Sequence, residues 1–474
     1  MILTGEIDVS IGATLGMSAA VGATILRDGG SVVTAVLAAV SVGAVIGLVN
    51  GFGVSILNIP SLIFTLGVNG VVRGLIYVYT GGAWVENLPA SFTKASNIKI
   101  AEELTLFYAV TIVLVLIANY IVTKTRKGRY FTAVGDNISG ATLVGIPTVQ
   151  TKILAYVICG IMAAVAGMVY ASRIGFITPT AGNNYEMKAI AACVLGGVAL
   201  TGGQGSLFGA AIGAIIMSSI SRILVFLGFS SDYDNTITGI MLIVIVVVTT
   251  VAQNHGIVKN RHEILKARTN KAKSNAGRKE IRSMKTTFPE KAKKFFTSWE
   301  FVLLLILFAE IVIFATKNPK FLMPRVLFGS LNDIISICII SLFVTFVMIT
   351  GGIDIQAGSI VGLSSIVLGV AWQDGGMNIW AAVALAVVVA GVCGALSGYF
   401  VAYCGVQPMV VTLGGSFLFT GVALLVSNLS ATESYKGISG FPDSFLQISK
   451  FKLFGVIPCQ VIIFLVLAVI AMYF

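Results

Sequence analysis

The sequence predicts an all-α fold, a polytopic transmembrane helical bundle made of two partial copies of one unit joined by a basic cytoplasmic linker. Three observations carry this. Hydrophobic residues are 57% of the 474 positions and charged ones 11%, with a mean hydropathy of +0.96, whereas a soluble domain carries roughly 25% charged residues. About 14 apolar runs approach the ~20 residues a membrane helix needs. Finally, the chain repeats itself: Leu3-Thr4-Gly5-Glu6-Ile7-Asp8-Val9-Ser10-Ile11-Gly12 matches Ile349-Thr350-Gly351-Gly352-Ile353-Asp354-Ile355-Gln356-Ala357-Gly358. Asp28-Gly29-Gly30 then answers Asp374-Gly375-Gly376, and Thr65-Leu66-Gly67 answers Thr412-Leu413-Gly414, with a slip of one residue between.

In chain order, the first copy places apolar segments near 9–26, 32–56, 60–81, 104–123, 152–172, 186–203, 205–227 and 236–252, and the second near 299–316, 331–350, 357–373, 378–404, 408–427 and 453–474. The run 186–203 is short and broken by glycine, so it reads as a re-entrant or half helix. Pro60 and Pro408 suit first turns and mark helix starts. The domains are then 1–252, the linker 253–298 and 299–474. The linker holds 13 of the 31 Lys and Arg residues and stays on the cytoplasmic side. The segment 124–152 is the second basic one, and 82–103 and 428–452 fall outside. Topology alone accounts for the net charge of +11, so no nucleic-acid partner is expected. Simple counting sets the Asp8 and Asp354 turns near the cytoplasmic side unless a helix breaks there. Met1-Ile2-Leu3 lacks the basic start of a signal peptide, so the beginning reads as mature or truncated sequence.

Several residues stand out. Asp8 and Asp354 precede helix starts. Each reads as a helix cap or as part of a substrate path or gate, since ionisable groups in membranes are often functional; the two roles can coexist. Phe131–Ile146 reads as a short solvated helix between glycines, with Asn137 or Ser139 as its cap and Gly145 as a left-handed C-terminal residue. Its small residues Gly140, Ala141 and Gly145 suit packing against another protein, and a plain intracellular loop is the alternative. Gly196-Gly197, Gly202-Gly203 and the series Gly205, Gly209, Gly213 suit close helix packing. They form no phosphate loop, because no Gly-Lys-Ser or Gly-Lys-Thr follows. Arg73 and Arg222 lie in apolar runs, where snorkelling or internal pairing is expected. The six scattered cysteines read as small buried hydrophobes. Both histidines, His255 and His262, fall in the linker, so no metal or other cofactor is expected.

The Thr-Gly-x-Ile-Asp-x-x-x-Gly pattern, the Thr65-Leu66-Gly67 block and the segment from Gly135-Asp136-Asn137 to Gly145-Ile146 resemble the membrane subunits of bacterial ABC sugar importers of the ribose/xylose type. Residues 1–250 resemble, within that family, the C permeases of autoinducer-2 importers, through Thr80–Pro89, Ser172–Ile177 and Met187–Gly197. Residues 284–474 resemble the front of the D permeases, through Gly352–Gly358, Gly405–Gly414 and Gly440-Phe441-Pro442. The resemblance implies a multi-pass permease of the bacterial inner membrane with no enzymatic activity of its own. ATP hydrolysis would sit in separate ATP-binding subunits, a periplasmic substrate-binding protein would deliver the ligand, and a second permease subunit is a further partner. Gly135, Asp136, Asn137, Gly140, Ala141 and Gly145 would form the ATPase-coupling loop; Asp8, Asp354, Thr65 and Thr412 would belong to the translocation path or cap its helices. The first unit lacks the family's N-terminal helices and the second its C-terminal half, with Met284 where a D permease would start, so the expectation is a joined and trimmed pair.

The function expected is ATP-driven import of autoinducer-2, with ribose, rhamnose or another monosaccharide as the alternative ligand. An ion-coupled secondary transporter also uses repeats and broken helices. Proton coupling, however, calls for carboxylates deep in the membrane, and Glu310 is the clearest of the few present. An enzyme is disfavoured because no nucleophile, base and orienting group cluster together.

Overall fold

A computed structural model describes residues 1–100, 105–230, 232–253, 299–430, 437–453, 455 and 457–472; the expected linker lies outside them except for Gln253. The chain divides into two compact units, Met1–Val246 and Val247–Phe474. A 3-10 turn at Ile2–Thr4 opens the first. It leads to α1 (Ile11–Arg27), α2 (Val32–Ser55), α3 (Ser61–Thr80), α4 (Ala90–Lys94), α5 (Leu106–Lys124), α6 (Arg126–Asp136), α7 (Ile138–Leu143), α8 (Thr148–Ile174), α9 (Tyr185–Leu195), α10 (Leu207–Phe226) and α11 (Tyr233–Gln253), within which the division falls. The second unit carries α12 (Trp299–Lys317), α13 (Pro324–Ile349), α14 (Ala357–Gln373), α15 (Ile379–Ala402), α16 (Pro408–Ser427), α17 (Asp443–Lys450) and α18 (Cys459–Ala471).

Seven described helices are long and apolar enough to cross a membrane: α2, α3, α5, α8, α10, α15 and α16. The repeat is legible helix for helix. α1 and α14 have 17 residues each, α2 and α15 have 24, and α3 and α16 have 20. α13 starts at Pro324 rather than near 331, because proline is pre-set for the first helical turn. The run expected at 453–474 begins with a two-residue antiparallel ladder, Lys452–Leu453 against Ile457–Pro458, before α18. α9 has 11 residues, ~16 Å of helix, about half the ~30 Å hydrocarbon layer, which fits the half-helix expectation.

Small residues build the core of the first unit. Ala19, Ala20 and Ala23 of α1, Ala35 and Ala39 of α2, and Ala171 of α8 are fully buried together, closed at one end by Val85, Phe92 and Ile177. Without large side chains, helix backbones approach closely and gain dispersion contact, the main attraction available between helices in lipid. α2 and α8 show it best: a Cβ on Gly160 would sit 3.0 Å from the Gly43 carbonyl carbon, and one on Gly47 2.9 Å from Val157 Cα. Gly196 likewise lies against the backbone of Gly209, bringing α9 onto α10. Val85 and Ile177 exchange both backbone hydrogen bonds, at 2.8 and 2.9 Å. α5 buries no residue and presents a continuous apolar surface.

Candidate functional site

Each copy brings its Ile-Asp turn onto its Thr-Leu-Gly helix. In the first, Thr65 Oγ1 accepts from the Val9 N–H at 3.1 Å and donates to Ser61 O at 2.8 Å. In the second, Thr412 Oγ1 donates to Ile353 O at 3.0 Å. The aspartates make the same local bond: the Ser10 N–H donates to Asp8 Oδ1 at 2.8 Å, and the Gln356 N–H donates to Asp354 Oδ1 at 3.0 Å. Asp8 thus holds the residue at the cap position, while Asp354 holds that residue and also the first amide of its helix, that of Ala357. Ser10 and Gln356 are the N-cap residues, and neither makes a side-chain cap bond. Burial pushes both aspartic acids above the usual carboxylate range, against the lowering by these hydrogen bonds.

The buried polar groups around these turns escaped the sequence reading. Asn50 of α2 is fully buried and donates through Nδ2 to Ser10 Oγ at 2.7 Å and to the Asp8 carboxylate at 3.3 Å. Ser10 Oγ donates in turn to Asp8 Oδ1 at 2.6 Å. In the second unit Ser397, which stands where Asn50 stands in the first, donates to Gln356 Oε1 at 2.8 Å. The one available signal was a lone amide inside the apolar 24-residue run of α2.

The segment before Asp8 is tied to the coupling-like region. The Gly203 N–H donates to Leu3 O at 2.9 Å, and a Cβ on Gly203 would lie 2.6 Å from Asp136 Cα. A Cβ on Gly135 would meet Leu3 O and lie 2.6 Å from Gly203 N. Three stretches thus touch backbone to backbone at Leu3–Gly5, Gly135–Asp136 and Thr201–Gly203. Gly5 takes the left-handed conformation, φ 77°, which a side chain would strain. Glu6 pairs with Lys152 of α8, their side chains 13% and 16% exposed.

The coupling-like region is two helices, α6 and α7, rather than one. Asn137 caps α7, its Oδ1 accepting from the Gly140 N–H at 2.8 Å. Gly145 follows with φ 81°. Its outward surface differs from the small-residue face expected. Ala141 is turned inward at 5% exposure, while Leu143 and Val144 stand out at 88% and 75%. The structure thus brings together Asp8, Thr65, Gly135 and Asp136 through the Leu3–Val9 segment, and Asp354 with Thr412 in the other unit. Asn137 and Gly145, at the two ends of α7, are exposed, and Gly140 is half-buried. Arg73 donates to Ala181 O at 2.6 Å, an internal bond, and Arg222 is exposed. His255 and His262 lie outside the described residues.

A profile of the family described as "Branched-chain amino acid transport system / permease component" matches residues 1–246 and 326–474. The chain belongs to this family. It is a multi-pass inner-membrane permease of the transport-system type, and the second matched stretch agrees with the internal repeat. It is 41% identical over 247 residues to the "Autoinducer 2 import system permease protein LsrC" of Salmonella paratyphi B, covering 52% of this chain and 71% of that one. The protein of the same name from Yersinia pestis is 41% identical over 247 residues, 52% and 70%, and that of Enterobacter sp. 39%, 52% and 72%. No solved structure matches. Membership in this family implies companion ATPase and substrate-binding components in general.

Proposed function

We propose that this chain is the membrane permease of an ATP-driven importer that carries autoinducer-2 across the cytoplasmic membrane. Residues 1–252 and 299–474 act as two permease units joined by the basic segment 253–298. The similarity to permeases named for autoinducer 2 import supports the ligand. One observation supports the coupling: the Leu3–Val9 segment is hydrogen-bonded to Gly203 and packed against Gly135 at one end, and hydrogen-bonded to α2 and α3 at the other. A push on α6 and α7 by an ATP-binding subunit would pass along it into α1, α2 and α3, the helices that Asp8 and Thr65 hold in register. In this reading Gly135, Asp136, Asn137, Gly140, Ala141 and Gly145 shape the coupling segment, and the exposed Leu143 and Val144 make the contact. Asp8, Asp354, Thr65 and Thr412 set the turns at the translocation path. A periplasmic binding protein and a second permease subunit complete the assembly.

The test is uptake of autoinducer-2 in cells lacking their own importer and supplied with this chain, its ATP-binding subunits and its binding protein. Uptake should require ATP hydrolysis. Leu143→Asp should reduce it tenfold or more, with the protein still inserted in the membrane. Transport of ribose or rhamnose in place of autoinducer-2 would reassign the ligand. Uptake that survives an inactive ATPase and collapses with the proton gradient would sink the reading altogether.

A further inference from the structure

We infer that the first unit carries a binding site for the phosphate headgroup of an anionic lipid, in the cavity between α4, α5, α8 and α10. The cavity has a volume of about 630 Å³ and is lined by three cations, Lys94, Arg173 and Arg222, and by the hydroxyls of Thr105, Tyr108 and Thr111. The ion pairs Arg27–Asp28 and Glu6–Lys152 lie elsewhere in the unit and take none of the three cations. This charge is independent of the site above, at the opposite end of α5 and α8 from α6 and α7.

Position argues for lipid as the source of the phosphate. Arg173 is one residue from the end of α8, Arg222 four residues from the end of α10, and Thr111 five residues inside α5. At 1.5 Å per residue the cavity floor lies ~6–8 Å below the helix ends, the depth of the headgroup and glycerol region at the edge of a ~30 Å hydrocarbon core. Below it α5 offers Ile112 and Leu116, each at least half exposed, as a surface for acyl chains. Guanidinium groups bind phosphate through paired donors, and hydroxyls supply further donors to its oxygens. Basic pockets between membrane helices on the cytoplasmic side bind anionic headgroups, and the same donors suit a phosphate of either leaflet. The basic segment 124–152 sets the other end of α5 in the cytoplasm, so this end faces the outer leaflet.

The test uses the full chain in a neutral detergent, with its thermal midpoint followed by tryptophan fluorescence as phosphatidylglycerol, phosphatidylcholine or inorganic phosphate is added. Phosphatidylglycerol alone should raise the midpoint. Each basic residue near an anionic lipid is worth a factor of roughly five in affinity. Arg173→Gln with Arg222→Gln should therefore raise the phosphatidylglycerol concentration at half effect roughly 30-fold. Arg173→Lys with Arg222→Lys, which keeps the charge but loses the paired donors, should fall between the parent and the glutamine pair, and Lys317→Gln with Lys320→Gln, equal in charge removed but in the other unit, should keep all of the affinity. If the glutamine pair does not fold, native mass spectrometry of the parent chain decides, with retention of phosphatidylglycerol over phosphatidylcholine expected. Equal shifts with both lipids, a shift with phosphate alone, or full affinity in the glutamine pair would overturn the site. Glu102 and Glu103, which precede Thr105, lie outside the described residues. A phosphatidylglycerol effect that appears only in Glu102→Gln with Glu103→Gln would show that carboxylates of the chain fill the cavity, and would also overturn it.

Discussion

Breaking the Glu6–Lys152 pair should destabilise the first unit, and breaking both halves should cost little more than breaking one. Exposed ion pairs contribute roughly 0.2–1 kcal/mol, whereas removing one partner of a buried pair costs roughly 3–5 kcal/mol, because the remaining charge is stranded away from water. With side chains 13% and 16% exposed, the pair belongs nearer the buried limit, and roughly 2–3 kcal/mol is expected for Glu6→Gln or Lys152→Met alone. A unit of this size loses roughly 2–4 °C per kcal/mol, so each single variant should melt roughly 5–10 °C lower. The double variant strands no charge and should melt close to either single one, a coupling of about 2 kcal/mol in the cycle. Raising the ionic strength should leave these differences in place, since burial limits screening. The assay is thermal unfolding of all four proteins in one detergent. If the double variant loses the sum of the two single losses, the side chains do not act as a pair, and the tie between the Ile-Asp segment and α8 is not electrostatic. The second unit is an internal reference, since Gly352 stands in place of Glu6.

Gly160→Leu should abolish a monodisperse, folded peak in size-exclusion chromatography, because its side chain would enter the backbone of Gly43. Gly74→Leu, on the open face of α3, should pass unnoticed. Thr65→Val should cost roughly 1–3 kcal/mol, as the buried Val9 N–H loses the hydroxyl that accepts from it. Thr412→Val should cost less, because it frees only the Ile353 carbonyl, and unpaired carbonyls are tolerated better than unpaired N–H groups; melting the two variants side by side ranks them.

Much of the fold was legible because the chain says it twice. The Ile-Asp and Thr-Leu-Gly blocks recur at spacings that differ by one residue, and the three helices that carry them keep their lengths. What escaped were contacts that hydropathy does not register. Asn50 lies in an apolar run, where a single amide leaves the average unchanged, although burial makes it the donor that Ser10 and Asp8 need. Glu6 and Lys152 are far apart in sequence, and nothing local marks them as partners. Ala141 illustrates a different limit. Small residues at Gly140, Ala141 and Gly145 suggested a face for close docking, but on a helix as short as α7 the packing of α6 and α8 decides which side turns inward. That side took Ala141 and left Leu143 and Val144 exposed. The half-helix α9 was readable because glycine and length both limited it.

The two copies also solve one packing problem with different side chains. In the first, a small N-cap residue meets a larger amide, Ser10 with Asn50; in the second, the larger residue has moved to the cap, Gln356 with Ser397. The exchange needs a third change. A Cβ on Gly415 would run into the Gln356 side-chain oxygen, and the first copy has Val68 at that register position. Asn50→Ser alone should therefore cost roughly 1–2 kcal/mol by withdrawing a donor from Asp8. Ser10→Gln alone should cost roughly 1–3 kcal/mol by overpacking against Asn50 and Val68. The triple variant Ser10→Gln, Asn50→Ser, Val68→Gly rebuilds the second copy's arrangement in the first and should recover most of that loss, less roughly 1 kcal/mol for a glycine inside a helix. Thermal unfolding of the set measures the non-additivity directly. A triple variant no more stable than the sum of its parts would mean that the match between copies is one of backbone alone, and that the polar groups beneath each Ile-Asp turn are free to vary independently.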